Sequence, residues 1–331
     1  MPDNKLLLSS SPHLFSSVTT RMIMLIVVIA LAPATAFGIY LYGLPAALLV
    51  ATTVIAAVAS EALFRLALKR PSTIGDLSAV VSGLLLALVL PPSTPLWMAA
   101  LGSVTAIVVA KEFFGGLGAN PFNPALIGRA VLLMSFPAAM TTWNKPFTAL
   151  ADAVTTATPL NMVKQGVAMG DVYASVGAAD PAGFYWQLFL GTRAGSLGES
   201  SILLVAIGGF ILLALGIIQI AIPASILIST AIFSWMFGMD PLFALLSGGV
   251  VFGAFFMATD YSTSPLTGKG KLVFGIGIGL LIALIRKLGG FPEGVTYAIL
   301  VMNMLTPFLD KLRVRKYGYV KPVKAVKEAA K

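Results

Sequence analysis

The stretch DAVTTATPL at residues 152–160 places three threonines and one aspartate in the longest polar interruption of an apolar chain. A threonine directly before a proline is typical of a helix start, so Thr158 is the predicted N-cap and Pro159 the first helical residue. The following residues, LNMVKQG, would make two turns ending near Gly166. A phosphate on the Thr158 hydroxyl would be well placed at such a helix start. The alternative is a threonine that only caps a helix in a polar loop.

The segment GANPFNPALIGR at 118–129 is a second candidate site. Asn120 and Asn123 supply amide donors and acceptors that suit the polar edge of a heterocycle, and they lie at the entrance of an apolar span. The alternative is that both asparagines hydrogen-bond the backbone that the prolines free.

Carboxylates near apolar spans are few, and a carboxylate at membrane depth is a candidate for an ion path. Those near the predicted span ends are Glu61, Asp76, Glu112, Asp240 and Asp260. Asp260 precedes YSTS, so its carboxylate and the neighbouring hydroxyls could coordinate a cation. The alternative is an interfacial aspartate with local Ser/Thr hydrogen bonds. Glu112 is expected to pair with its neighbour Lys111.

The composition excludes several classes of redox centre. The chain has 331 residues, no cysteine and one histidine, His13. Thiolate-held iron–sulfur clusters, structural zinc and a haem with two histidine ligands therefore need another chain. Charged residues make up 11% of the sequence and hydrophobic residues 58%, against about 25% charged in soluble domains. The sequence predicts an all-α integral membrane protein.

Apolar stretches long enough for a membrane span, about 20 residues each, recur along the chain. The predicted spans are 22–42, 45–64, 77–90, 96–114, 124–140, 200–219, 221–238, 242–258, 271–288 and 293–309. Several are short and end in Gly or Pro breaks, which membranes tolerate where the backbone is buried in protein or lines a cavity.

The basic residues sort by side when the ten spans are threaded through a membrane. Seventeen of the 22 Lys and Arg residues, Arg129 among them, fall on the side of both termini. The other five are Lys145, Lys164, Arg193, Arg286 and Lys287. The positive-inside rule then predicts cytoplasmic termini and an outer loop at 141–199. The net charge of +9 is explained by this rule and indicates no nucleic acid.

This threading divides the chain into five segments. They are a cytoplasmic N-terminus at 1–21, a membrane half at 22–140, the extracytoplasmic loop at 141–199, a second membrane half at 200–309 and a basic cytoplasmic tail at 310–331. Five spans on each side of the loop suggest two inverted repeats. DLSAVVSG at 76–83 and DPLFALLSGG at 240–249 support a repeat, although apolar segments also resemble each other by chance.

The polar stretch resembles a known modification motif. Asp152, Thr155, Thr156, Ala157 and Thr158 look like D-x-x-[S/T]-G-A-[S/T], at which a flavin transferase attaches FMN. The motif is shared by the B subunits of Na+-translocating NADH:quinone reductases and the D subunits of Rnf complexes. Thr158 matches the acceptor, while Thr156 stands where the motif has Gly, a residue with a wider choice of backbone conformations.

Other segments resemble the same family in the same order. They are SPHLFSSVTTRMIM at 11–24, GGLGANPFNPALIGRAVLLMSFP at 115–137, GSLGESS at 195–201 and FMATDYSTSPLTGKGK at 256–271. The short segment before the first span favours the Rnf branch of the family. The resemblance thus covers nearly all of the chain outside the tail.

The resemblance implies ten transmembrane helices in two inverted five-helix repeats, similar in fold to urea transporters. It implies a flavoprotein subunit of the bacterial or archaeal cell membrane, which carries electrons through covalent FMN on Thr158. The complex would pass electrons from ferredoxin to NAD+ and translocate Na+ or H+. Expected partners are the FMN-bearing G subunit, the A and E membrane subunits, the flavin transferase and the lipid bilayer. In the related quinone reductase the region of Asn120 and Asn123 lies by a second, non-covalent riboflavin.

Two other functions remain open at this point. Broken helices and inverted repeats alone also suit a small-solute channel or carrier without a redox cofactor. A scaffold that holds other redox subunits and carries no cofactor is the third possibility. Only the flavin-bearing subunit requires the motif at 152–158.

Overall fold

The structure is a computed structural model that describes residues 18–147, 155–178, 180–191, 193–290 and 293–312. In these residues helices account for nearly all of the regular structure, and the one sheet has two short strands. The predicted all-α class is therefore confirmed. His13, Asp152 and the basic tail from Arg313 onward lie outside the described residues.

Helices α1 to α5 form the part of the chain before the polar segment. They are α1 (Thr20–Tyr42), α2 (Leu44–Ala67), α3 (Ser78–Val89), α4 (Leu96–Val104) and α5 (Pro124–Ser135). Helix α4 continues as a π-helix at Thr105–Val109, and a 3₁₀ turn follows at Glu112–Phe114. Helix α2 packs against both α3 and α4.

The predicted outer loop contains regular structure of its own. It begins after the one-turn helix α6 (Pro137–Met140) and includes strands β1 (Trp143–Asn144) and β2 (Thr155–Thr156). Three short helices follow, α7 (Pro159–Lys164), α8 (Met169–Ser175) and α9 (Pro181–Leu190). Val172, Phe184, Leu188 and their neighbours form a small separate core that holds these helices together.

The last part of the chain holds a second set of membrane-type helices. They are α10 (Ile202–Ala214), α11 (Ala221–Met236), α12 (Pro241–Leu246), α13 (Val250–Phe252), α14 (Gly268–Leu288) and α15 (Val295–Leu309). Helix α13 continues as a π-helix at Gly253–Met257. Helices α11 and α14 pack closely because Gly275 and Gly279 of α14 lie against Ser225 and Ser229 of α11.

The outer surface of the helices is apolar, as expected for contact with lipid. Ile55 is 66% exposed and Trp235 is 71% exposed, although both are large hydrophobic residues. Among the described residues, Thr20–Tyr42, Leu44–Ala67 and Leu96–Phe114 are long and apolar enough to cross a membrane, and several shorter helices are also apolar. The structure thus has the features of a helical membrane protein.

Every predicted span contains a helix of the structure, but two spans are broken. The span 124–140 stops at Phe136, where Pro137 begins the separate turn α6. The span 242–258 is divided between α12 and α13, because Ser247 is extended and Gly248 and Gly249 have positive φ angles of 65° and 67°. Glycine adopts that conformation without the steric cost of a side chain.

Candidate functional site

Thr158 occupies the junction between the small sheet and helix α7. Strand β2 pairs antiparallel with β1, Trp143 opposite Thr156 and Asn144 opposite Thr155. Two residues later the backbone of Thr158 is extended, and its hydroxyl oxygen accepts a hydrogen bond from the backbone N–H of Asn161 at 3.2 Å. The predicted N-cap and helix start are confirmed. For Thr155 and Thr156 the structure describes the backbone only.

Helix α7 is anchored on the elements beneath it. Leu160 packs in the small core with Phe243 of α12, and Lys164 donates a hydrogen bond to the backbone oxygen of Gly289. A side chain at Gly248 would meet both Leu160, at 2.8 Å, and the Arg286 guanidinium, at 2.6 Å. Helix α7, which follows Thr158, thus packs directly against the break between α12 and α13.

A cavity of about 170 Å³ lies beside Thr158. Its wall includes both chain neighbours of Thr158, Ala157 and Pro159, and two basic residues, Lys145 and Arg193. Thr158 is itself only 8% exposed. The site therefore combines a threonine hydroxyl, an adjacent cavity and positive charge.

Arg193 is buried, and its Nε atom has no hydrogen-bond partner. Burial lowers the pKa of Arg193 from its usual range, while the nearby carboxylates of Glu199 and Glu293 raise it. Arginine is not deprotonated in proteins, so the buried guanidinium carries a positive charge.

A second and larger cavity, of about 330 Å³, lies on the Asn161 side of α7. Arg129 and Glu293 line it and form an ion pair. Trp143 and Asn161 complete its polar and aromatic wall. The sequence prediction assigned Arg129 to the same side as the termini. That assignment is wrong, because Arg129 shares a cavity wall with Trp143 and Asn161 of the predicted outer loop.

The basic and acidic residues beneath α7 form one buried group, here called the arginine cluster. It consists of Arg129, Arg193, Glu199, Arg286 and Glu293. Arg286 donates to the backbone oxygens of Ala244 at 2.6 Å and Ser247 at 2.8 Å, and so closes the open end of α12. Three guanidinium groups and two carboxylates leave a net positive charge even when both carboxylates are ionised.

Glu199 is the most perturbed carboxyl of the arginine cluster. Burial, followed by repulsion from Glu293, raises its pKa to about 7, against the attraction of Arg193 and Arg129. The Ser196 hydroxyl donates to Glu199 Oε1 at 3.0 Å. The sequence pattern predicted that Arg193 and Arg286 lie on the outer side of the membrane. It predicted no function for Glu199 or Glu293. A charged residue in or near an apolar run must find a partner. The positions of these residues were therefore the sequence feature that could have predicted the cluster.

Asn120, Asn123 and Asp260 meet at a different cavity, of about 90 Å³, lined from both membrane halves. The side chain of Asn123 accepts from the N–H of Leu126 at 3.3 Å and donates to the oxygen of Met257 at 3.2 Å. Asn120 donates to the oxygen of Phe122 and accepts from the Ser262 hydroxyl. Both asparagines therefore hydrogen-bond backbone groups near the prolines, which is one of the two interpretations of the sequence. They also line a cavity.

Asp260 has the local partners expected of an interfacial aspartate. The Thr263 hydroxyl donates to Asp260 Oδ2 at 3.3 Å. Burial raises the pKa of Asp260, and hydrogen bonds from its neighbours lower it. The described residues contain no group of His, Cys, Asp and Glu side chains suited to hold a metal ion.

A pair of buried salt bridges lies next to this cavity. Lys111 Nζ is 2.7 Å from Glu61 Oε2 and 2.6 Å from the Ser78 hydroxyl. Arg65 Nε is 3.0 Å from Glu112 Oε2. The expected pairing of Glu112 with Lys111 is wrong, because consecutive residues of a helical turn face different directions. Each finds its partner on α2 instead.

The sequence matches the model of the NQR2, RnfD, RnfE family over residues 7–318. Similar relatives include the D subunit of the proton-translocating ferredoxin:NAD(+) oxidoreductase complex of Clostridium ljungdahlii. It is 46% identical over 313 residues, which cover 92% of this chain and 93% of the relative. The D subunit of the Na(+)-translocating ferredoxin:NAD(+) oxidoreductase complex of Acetobacterium woodii is 45% identical over 99% of this chain and 100% of its own length.

A more distant relative has the same subunit designation. The D subunit of the ion-translocating oxidoreductase complex of Stutzerimonas stutzeri is 42% identical over 325 residues, covering 89% of this chain and 91% of the relative. All three relatives are named as subunits of ion-translocating oxidoreductase complexes, which are translocases.

Proposed function

Because the chain belongs to the NQR2, RnfD, RnfE family, we propose that it is the membrane flavoprotein subunit of an ion-translocating ferredoxin:NAD+ oxidoreductase complex. In this proposal Thr158 carries FMN as a covalent phosphoester and the chain transfers electrons through it. Similarity to relatives named for ferredoxin:NAD+ complexes supports the complex. The motif around Thr158 supports the cofactor.

The single observation that carries the cofactor proposal is the environment of Thr158. Its hydroxyl caps a helix start, and its chain neighbours Ala157 and Pro159 line a cavity of about 170 Å³ with two basic residues in its wall. The buried cation Arg193 in that wall fits a site that accepts an anionic group. When bound, FMN would supply the electron-transfer chemistry.

The chain's own residues would hold the cofactor rather than react with it. Thr158 supplies the oxygen of the ester, and the β1–β2 pairing together with α7 fixes the backbone on both sides of it. Asp152, Thr155, Thr156 and Ala157 belong to the stretch that a flavin transferase would recognise during maturation. A covalent link keeps the flavin from being lost to solvent.

We extend the proposal to a second, non-covalent flavin, riboflavin, at Asn120 and Asn123. The two amides, Ser78, Lys111 and Asp260 give one cavity wall a mixture of donors and acceptors. An engineered cavity of about 150 Å³ holds one benzene ring, so this cavity of about 90 Å³ would have to widen for a flavin. Acid extraction of the purified complex should release riboflavin, and an Asn120→Ala variant should release less. Extracts without riboflavin would remove this extension.

The proposed fold is two inverted repeats of five helices, similar to urea transporters. The contacts between the halves join equivalent elements, α1 with α10 and α5 with α15. Asp76 and Asp240 make equivalent hydrogen bonds at the starts of α3 and α12. Each carboxylate accepts a hydrogen bond, at 2.8 Å, from the backbone N–H of the second residue after it. Both features support internal symmetry.

We place both termini in the cytoplasm and the 141–199 segment outside the cell membrane, so that the flavin faces the outer side. There it would meet the FMN-bearing G subunit, with the A and E membrane subunits as further neighbours. Relatives named for H+ and for Na+ are nearly equally similar to the chain, and the proposal covers both ions. Asp260 is a candidate for the ion path.

The proposal is tested by ultraviolet in-gel fluorescence of the subunit purified from cells that express the flavin transferase. The wild-type band should fluoresce, and Thr158→Ala should abolish the signal. Thr158→Ser, which keeps a hydroxyl, should retain it. Ser175→Ala, which removes a hydroxyl from the wall of the adjacent cavity, is the matched control. A fluorescent Thr158→Ala band would move the attachment elsewhere, and a dark wild-type band would favour a channel or scaffold.

A further inference from the structure

We propose that Arg193, assisted by Lys145, is the phosphate-binding part of the flavin site beside Thr158. The inference rests on the proposed function for the identity of the ligand, a flavin that ends in a phosphate. It adds residues that lie outside the attachment motif and come from two separate segments of the chain.

The cavity beside Thr158 brings these residues together. Lys145 follows strand β1, Arg193 precedes the 3₁₀ turn at Leu197–Glu199, and both line the same cavity wall as Ala157 and Pro159. Because Ala157 and Pro159 are the chain neighbours of Thr158, a phosphate bound in this cavity lies next to the acceptor residue.

Arg193 is a buried cation that lines the cavity beside Thr158. The residue is 4% exposed, and its Nε atom is buried without a hydrogen-bond partner. A buried donor without a partner costs free energy, and more so for a charged group. Guanidinium groups form strong, geometrically matched hydrogen bonds with phosphate oxygens. Arg193 lines the adjacent cavity, where a bound anion would offer hydrogen-bond acceptors to its guanidinium group.

The other two arginines of the arginine cluster are already engaged. Arg286 uses Nη1 and Nη2 on backbone oxygens of α12 and the following residue, and Arg129 forms an ion pair with Glu293. Arg193 has charge interactions with Glu199 and Glu293, but its side chain makes no hydrogen bond with another described residue. The Nε atoms of all three arginines lack a hydrogen-bond partner, but Arg129 and Arg286 use their Nη atoms, and Arg193 is therefore the one available to a ligand.

The charge balance also favours an anion. The arginine cluster carries three guanidinium groups against two carboxylates, and Lys145 adds a further positive charge at the cavity. Glu199 has a pKa raised to about 7, so it neutralises its neighbours only partly near neutral pH. A phosphoester, with one or two negative charges, compensates this excess.

The test separates phosphate recognition from covalent attachment. A Thr158→Val variant of the full chain, which lacks the acceptor hydroxyl, is purified and titrated with free FMN and with riboflavin by flavin fluorescence. The two ligands differ only in the phosphate, and every titration uses the Asn120→Ala background, so that the proposed riboflavin site does not contribute. We expect FMN to bind about tenfold more tightly than riboflavin, as one charge-assisted hydrogen bond would produce.

Removal of the Arg193 guanidinium should abolish the preference for FMN over riboflavin. In Thr158→Val/Arg193→Gln the two flavins should bind equally, while Arg193→Lys should restore part of the preference. Lys145→Gln should reduce the ratio to a smaller extent. Lys287→Gln removes an exposed positive charge at the end of α14, outside the cavity wall, and should leave the ratio unchanged.

The readout excludes a merely structural role, because damage to the fold would weaken FMN and riboflavin together. Equal binding of the two flavins by Thr158→Val, or a ratio that survives Arg193→Gln, would overturn the inference. If either of these two outcomes is found and the wild-type chain carries covalent FMN, the proposed function still holds. A wild-type chain without FMN, combined with an Arg193-dependent ratio, would overturn covalent attachment and leave the phosphate site standing.

Discussion

Thr158 can serve as a helix cap and as an ester at the same time. Its oxygen accepts the N–H of Asn161, and the lone pairs used for that bond persist after the hydroxyl proton is replaced by phosphorus. The cap contributes about 1 kcal/mol to the start of α7. The proposed modification would therefore leave the local fold in place, and one threonine would perform both roles.

Glu199 provides a prediction at the residue scale. Its pKa in the folded protein, about 7, is above the ordinary value of 4.5. The folded state thus binds more protons than the unfolded state between these values, and stability falls as pH rises from about 4.5 to 7. In Glu199→Gln this contribution is absent.

The midpoint temperature of thermal unfolding in detergent, measured from pH 5 to pH 8, tests this expectation. The wild type should lose stability relative to Glu199→Gln as pH rises toward 7, and the difference should level off above 7. A difference that does not change with pH, or that changes in the opposite direction, would show that the Glu199 pKa is not raised.

Local features of single residues were predictable from the sequence, and long-range partners were not. The N-cap at Thr158 depends only on the next three residues. The Lys111–Glu61 pair joins positions 50 residues apart, and Arg129–Glu293 joins positions 164 apart. With several arginines and few carboxylates in apolar segments, the sequence indicates that pairs must form but leaves the choice of partners to the packing of the helices.

At the scale of elements, the salt bridges fix the end of the α4 segment to α2. Glu61 on α2 is fully buried, and Lys111 is 2% exposed beyond the π-helix that extends α4. Helix boundaries were predictable because apolar runs end at Pro and Gly. The π-helix at Thr105–Val109 packs against α2 and α5, and a linear sequence pattern does not contain these contacts.

The Lys111–Glu61 pair gives the prediction at this scale. Lys111→Met should destabilise the protein by about 3–5 kcal/mol, because it removes the nearest cation from the buried Glu61 carboxylate and leaves only Arg65, at 4.0 Å. The double variant Lys111→Met/Glu61→Met should recover most of this loss, since apolar replacements of both partners are often neutral.

Denaturant unfolding of the purified subunit, followed by tryptophan fluorescence, measures both effects. Lys269→Met, which removes an exposed lysine at the start of α14, serves as the control and should have little effect. A Lys111→Met variant as stable as the wild type, or a double variant less stable than the single one, contradicts this description of the pair.

At the scale of the whole molecule, the functional groups separate into two ends. Thr158 and the arginine cluster lie with the helices α7 to α9, and Asn120, Asn123 and Asp260 lie at the cavity where the two membrane halves meet. The proposed topology puts the first end outside the cell and the second on the cytoplasmic side.

The absence of cysteine allows a direct measurement of this topology. Met169→Cys lies on α8, and Leu266→Cys lies between α13 and α14. Both native residues are exposed. A membrane-impermeant maleimide added to intact cells should label Met169→Cys and should reach Leu266→Cys only after permeabilisation. The reverse pattern would invert the proposed orientation of the subunit.

The central claim is that Thr158 carries an FMN phosphoester, and the mass of the native chain tests it most directly. Intact-mass and peptide mass spectrometry of the subunit, purified from cells that express the flavin transferase, should show an added FMN less one water. The addition should map to the peptide that contains Thr158 and be absent from Thr158→Ala. A wild-type chain whose mass equals that of its amino acids would contradict the claim.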